Sequence, residues 1–306
     1  MQFIQPPNFK MKFLCIPFLA LLLVISCKTK IPVSTIQQFA ATESYPNDTY
    51  LDTVSNKRAL IISAHDDDDC FMAGTIYKLK QAGWEIEQWT FRTTPLEKGN
   101  SVHPAEIICK GNKPILEDGL YRNVNPYDST RLAYLPIPRE HFAEVFKTEK
   151  VKSVLEQKIN AYKPTVIFSM DNEMGGYGHP EHVFVCQILV DLFKENKIPI
   201  QRIYQGVTTN HMEEEIIVKY LTPLMEKWGY PSPYLVGREV YKIAGIPEPD
   251  VQVDISAYAD GKMRYLRAFS EDAKKNIRKF IPYYEVFDAQ TYFGVFDREF
   301  YRVIKK

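Results

Sequence analysis

The chain has 306 residues, enough for one large domain with additions at its ends, and a hydrophobic share of 45% supports a sizeable core. Lysine plus arginine and aspartate plus glutamate number 38 each, so the formal net charge is zero and nothing argues for a nucleic-acid or polyanionic partner.

From Met11-Lys12 the text turns apolar, running from Phe13 to Ile25 and ending at Ser26-Cys27. That run is shorter than the roughly 20 apolar residues of a transmembrane helix and fits the h-region of an export signal. Val24-Ile25-Ser26-Cys27 resembles the lipobox of bacterial lipoproteins. The resemblance implies a signal peptide over residues 1–27, lipid on Cys27 and a membrane-anchored protein of the cell envelope. Lys28, rather than an aspartate, after the cysteine implies the outer membrane. An uncleaved anchor helix is the competing reading, and Met11 is a second candidate start. Residues 28–56 are rich in Thr, Ser, Pro and Gln and read as a tether. Residues 57–306 remain for the folded domain. Setting aside Cys15 and Cys27, the odd number left (Cys70, Cys109 and Cys186) and the absence of a Cys-x-x-Cys spacing argue for buried thiols, not a disulfide framework.

In chain order, 58–64 is an unbroken apolar run, as expected of a strand covered on both faces. Helical spacing follows over 71–82 and stops at Gly83; 85–92 reads as a second strand. Strand, helix and strand at this spacing make a βαβ unit and a parallel sheet. Residues 93–139 show no sustained period and read as a long excursion with short pieces of structure. Helices are expected over 141–162, 180–196, 213–228 and 262–279. Strands are expected over 165–170, 203–208 and 251–255, with a closing strand or hairpin over 292–303. The class is α/β, a mostly parallel sheet with helices on both faces.

Two clusters carry chemistry, and each follows a buried strand. One is His65-Asp66-Asp67-Asp68-Asp69; the other is Gly178-His179-Pro180-Glu181-His182. In parallel sheets ligands bind beyond the carboxyl ends of the strands, so both clusters fall at one edge. Two imidazoles and a carboxylate with one open position form a common catalytic zinc shell. Acids at a helix start can be simple caps, but four in a row repel one another unless a cation offsets them. An all-oxygen calcium or magnesium site is disfavoured by the neighbouring imidazoles.

The first cluster resembles the His-Pro-Asp-Asp-Glu signature of the LmbE-like (PIG-L) deacetylases, and the second resembles their Gly-His-Pro-Asp-His. Ala73-Gly74-Thr75 and Gly83 fit as well, and the likeness is good over 58–92 and 163–208. The resemblance implies a Rossmann-like fold and zinc-dependent removal of acetyl groups from amino sugars or glycoconjugates. It implies zinc on His65, Asp68 and His182, with a water in the open position. Asp67 would be the general base, and His179, as imidazolium, would stabilise the oxyanion and protonate the leaving amine. Asp66, Asp69 and Glu181 depart from the family pattern at positions outside that ligand set. The family's Arg-x-x-Glu helix is missing after the second strand, where the 93–139 excursion stands. Arg92, Glu97, His103 and Arg122 are substrate-binding candidates by position alone, Arg92 first among them; each also reads as a solvated loop residue. Asp171 reads either as a support for a ligand histidine or as a turn former, and His141 and His211 as ordinary surface residues. The two alternatives are a glycan-binding surface lipoprotein with a vestigial metal site and an amidase for a non-sugar amide.

Overall fold

Four strands whose central side chains are covered on both faces, with a short exposed strand at one edge, build the parallel part of the sheet. Strands β1 (Arg58–His65), β2 (Glu85–Arg92), β3 (Asn112–Pro114), β4 (Val166–Met170) and β5 (Arg202–Val207) run parallel. Strand β7 (Arg298–Lys305) adds antiparallel to β5, and β6 (Val251–Asp254) antiparallel to β7, giving the order β3-β2-β1-β4-β5-β7-β6. The computed structural model describes residues 31–93, 102–125 and 132–306, of which Pro32–Lys306 form one unit. Cys27, the signal segment and Glu97 lie outside the described residues.

Helices cover both faces, as the run of buried residues in β1 requires. On one face Leu60, Ile62 and Ala64 join a core with Leu155 and Ile159 of α2 (Thr148–Tyr162) and Leu189 of α3 (Pro180–Lys194). Ala59 and Ile61 point the other way along the strand and are equally buried. On that side α1 (Ala73–Gln81) packs against the helix Ala259–Arg267. The chain leaves β1 for β2 on one side and later enters β4 on the other. The crevice at the carboxyl ends of β1 and β4 is therefore the topological switch point of the sheet.

Several boundaries differ from the sequence reading, each for a local reason. The segment read as a tether is packed from residue 32 onward: Ile36, Phe39 and Leu51 are buried. Asn47 bridges to Gln252, and the Tyr204 hydroxyl donates to Asp48 at 2.8 Å. Its overall polarity hid a few well-spaced apolar residues that find cover on the antiparallel end of the sheet. The expected 141–162 helix breaks at Phe146, which turns extended, bridges to Arg122 and stacks its ring on Phe184 at 4.2 Å. The expected 262–279 helix is two, Ala259–Arg267 and Glu271–Phe280, separated where the Ser270 side chain caps the second by accepting from the Ala273 amide. The 213–228 region starts at Asn210 and is wound as a π-helix over Glu213–Leu221. The closing segment is a helix, Ala289–Val295, followed by β7. Helix Pro233–Tyr241, begun by a Ser232 cap and a proline in its first turn, was not anticipated. The three cysteines beyond the signal are buried and free, as expected.

Candidate metal centre and its cavity

The first cluster leaves β1 in a tight turn that sends its four acids in different directions. His65 closes β1, and its amide donates to Asp68 Oδ2 at 2.8 Å, which curls the chain so that both side chains face the switch point. Asp66 turns away and pairs with His103 Nε2 at 3.1 Å. Asp69 is buried against the Tyr265 hydroxyl, and burial pushes its carboxyl well above the usual range. Asp67 lines the open cavity, where burial and the Asp68 carboxylate raise it to about 6.

The second cluster is placed by a glycine turn after β4. Asp171, at the end of that strand, accepts the amides of Glu173, Met174 and Gly176, so it is a turn former. Gly175 has φ +61°, and its carbonyl accepts from His182 Nδ1 at 2.9 Å. Gly178 has φ +100°, and a Cβ there would lie 2.3 Å from the Pro233 carbonyl oxygen. His179 then caps α3, its Nδ1 accepting from the Glu181 amide at 3.3 Å.

These turns bring three donor atoms together. His65 Nδ1 lies 3.2 Å from His182 Nε2 and 3.4 Å from Asp68 Oδ1, and His182 Nε2 lies 3.0 Å from the same oxygen. Both imidazoles spend their outer N–H elsewhere: His182 Nδ1 donates to Gly175, and His65 Nε2 reaches Glu181 Oε2 at 2.9 Å. With the outer protons so placed, the inner nitrogens face a common centre with a carboxylate oxygen, where a cation would displace the remaining proton from His65. Ligands about 2.0–2.1 Å from a tetrahedral zinc would be separated by roughly 3.3 Å, so this donor set fits the ion. Burial opposes charge on His65, but Asp68 and then Glu181 hold it well above the ordinary imidazole range. Burial likewise works against the Asp68 carboxylate, and His182 and His65 outweigh it and hold it well below its usual value. A second grouping, His65 with His179 and Glu181, also lies close together. It is the poorer candidate, because Glu181 is already bound by Tyr121 and Arg122.

The expected ligands, His65, Asp68 and His182, therefore converge, with Asp67 and His179 beside them on the wall of one cavity of about 770 Å³. His179 stacks on His182 at 4.5 Å, and burial, then the charges of His182 and His65, hold it well below the usual imidazole range. Its Nε2 edge is the one left free of the Glu181 amide. Arg92 reaches the cavity wall, but its Nε donates to the Tyr121 hydroxyl at 2.8 Å. His103 and Arg122 are not solvated loop residues: His103 holds Asp66, and Arg122 Nε donates to Glu181 Oε1 at 2.7 Å. His141 pairs with Glu144 and His211 with the Gln38 carbonyl, both away from the site. Sequence reasoning missed Tyr121 and the role of Glu181. It also missed the far wall of the cavity, which Leu221, Met225, Trp228, Tyr230, Asn276 and Lys279 supply from parts of the chain without a motif.

A family model described as PIG-L, GlcNAc-PI de-N-acetylase, matches residues 60–193, from β1 to the last turn of α3. That stretch contains all three converging donors, His65, Asp68 and His182. No curated protein matches the chain. Among solved structures it is similar to the N,N'-diacetylchitobiose deacetylase from Pyrococcus horikoshii, with 16% identity, 82% of this chain and 85% of that chain covered, and a TM-score of 0.40. It is also similar to the zinc-inhibited form of teicoplanin deacetylase Orf2, at 13% identity over 81% and 98%, TM-score 0.39. GalB, the 4-carboxy-2-hydroxymuconate hydratase of Pseudomonas putida KT2440, stands at 12% identity over 82% and 97%, TM-score 0.40. Likeness at this level bears on neither substrate nor reaction.

Proposed function

With a de-N-acetylase family match over residues 60–193 as premise, we propose that this chain hydrolyses the N-acetyl amide of an amino sugar or glycoconjugate. Zinc would be held by His65, Asp68 and His182. The observation that carries the reading is the convergence of two imidazole nitrogens and one carboxylate oxygen within 3.0–3.4 Å of one another at the end of a large cavity. When bound, the cation would supply Lewis-acid activation of a water at neutral pH.

The chain's own residues provide the rest of the chemistry. Asp67 lines the cavity beside the ligands without joining their hydrogen bonds, and is placed to take the proton of the attacking water and return it to the leaving nitrogen. His179, with Nδ1 occupied by the Glu181 amide, presents its Nε2 proton to the developing oxyanion. Acetate and a free amine result. The outer wall, where Trp228 is 51% and Tyr230 47% exposed, offers aromatic faces to the remainder of a glycoconjugate, with Lys279 and Asn276 as polar neighbours. The lipid on Cys27 and the cell-envelope location also belong to this proposal, on the strength of the N-terminal sequence. The direct test is acetate release from a panel of N-acetylated sugars and glycoconjugates by the zinc-loaded protein. No free amine from any of them, with one sugar bound tightly and unchanged, would replace catalysis with binding.

A further inference from the structure

Glu181 is a charged group 2% exposed in the wall behind the ligands, and both its oxygens are committed. Oε2 lies 2.9 Å from His65 Nε2. Oε1 accepts from the Tyr121 hydroxyl at 2.6 Å and from Arg122 Nε at 2.7 Å. Arg92 completes the group by donating to the Tyr121 hydroxyl at 2.8 Å. Tyr121 and Arg122 belong to the long excursion, yet they are rigidly held. The Tyr121 ring stacks on Phe91 with centroids 4.3 Å apart, Arg122 lies 4.9 Å over the Phe146 ring, and its backbone bridges to Phe146.

We infer that Tyr121 and Arg122 are positioning residues that act through Glu181 on His65, setting how strongly the centre holds its metal. The inference rests on the metal reading above. A carboxylate on the outer N–H of a ligand imidazole fixes the tautomer, orients the ring and makes the inner nitrogen a better donor. Glu181 can do this only while its other oxygen is occupied. Released, its carboxylate could rotate toward His179 and His65, with which it already forms a grouping close enough to hold an ion. Tyr121 and Arg122 therefore keep Glu181 a support and prevent it from becoming a ligand. This gives part of the excursion a task distinct from substrate choice.

Zinc affinity of the full chain, measured by competition with a chelating dye, tests the inference. Tyr121→Phe, Arg122→Gln and Glu181→Gln each lie outside the donor set, and each should weaken zinc about 10–100-fold, the usual effect of removing such a partner. Arg122→Lys, which keeps the charge, should recover part of the loss. With cobalt(II) in place of zinc, Arg122→Gln should show an altered visible spectrum as Glu181 enters the coordination sphere. A core substitution remote from the site, Ile159→Val, controls for general loosening and should leave affinity unchanged. Wild-type affinity and spectrum in the folded Tyr121 and Arg122 variants would overturn the inference while leaving the metal centre standing. A wild-type protein that binds no zinc would remove both.

Discussion

Of the three converging donors, His65, Asp68 and His182, the aspartate differs from its neighbours in the acidic run by orientation alone. Asp66, Asp67, Asp68 and Asp69 are identical side chains in one run, yet they face His103, the open cavity, the two imidazoles and Tyr265 respectively. Substitution should separate them. His65→Ala, Asp68→Ala and His182→Ala should each lose most bound zinc, measured by metal analysis of the purified protein. Asp67→Asn should keep its zinc and lose turnover by about 10²–10⁴-fold, the usual size of a general-base contribution. Full zinc occupancy in all three ligand variants would end the assignment, and a near-normal rate in zinc-loaded Asp67→Asn would move the base elsewhere.

At the scale of elements, two joints hold the motifs in register. One is the glycine turn after β4, where Gly178 packs under the Pro233 carbonyl in a conformation other residues adopt only under strain. Gly178→Ala should destabilise the protein by roughly 1–3 kcal/mol in urea unfolding. The other is Glu299 of β7, which accepts the Gly74 and Thr75 amides at the start of α1 and pairs with buried Lys262 at 2.6 Å. It joins the C-terminal half to the helix that follows the first motif. Lys262→Met leaves that buried carboxylate without its cation and should cost about 3–5 kcal/mol, with zinc stoichiometry of the folded fraction unchanged. A smaller loss than that of Gly178→Ala would mean Glu299 is satisfied by the helix amides and the Tyr301 hydroxyl.

For the molecule as a whole, the cavity combines the end carrying the His65, Asp68 and His182 donors, from the family-matched segment 60–193, with an aromatic end from the region after it. Trp228→Ala should lower kcat/KM for a bulky glycoconjugate by about tenfold or more and leave a free N-acetyl monosaccharide nearly unaffected, because only the larger substrate reaches that wall. Equal losses on both would deny Trp228 a part in substrate choice. No helix among the described residues is long and apolar enough to cross a membrane. Cys27→Ser should abolish lipidation, and mass spectrometry finding an unmodified Cys27 in the membrane-fraction protein would refute the anchor.

What the sequence by itself determined was whatever is encoded locally. Unbroken apolar runs announced β1 and β4, Gly83 ended α1, and two clusters of histidines and acids, one directly and one shortly after a strand, placed the donors at one sheet edge, since a parallel sheet puts all its carboxyl ends on one side. Tertiary structure decided what depends on distant partners. Phe146 leaves its helix because Phe184 offers a better burial than another helical turn. Residues 32–56 pack because β5, β6 and the last helix present a surface to them. Arg122 and Glu181 are 59 positions apart and meet only once β4 and α3 are in place, so no spacing could reveal the pair. Trp228 and Lys279 join the cavity by the same route: lacking a periodic or motif context, their place was set by the packing of helices that sequence patterns left undivided.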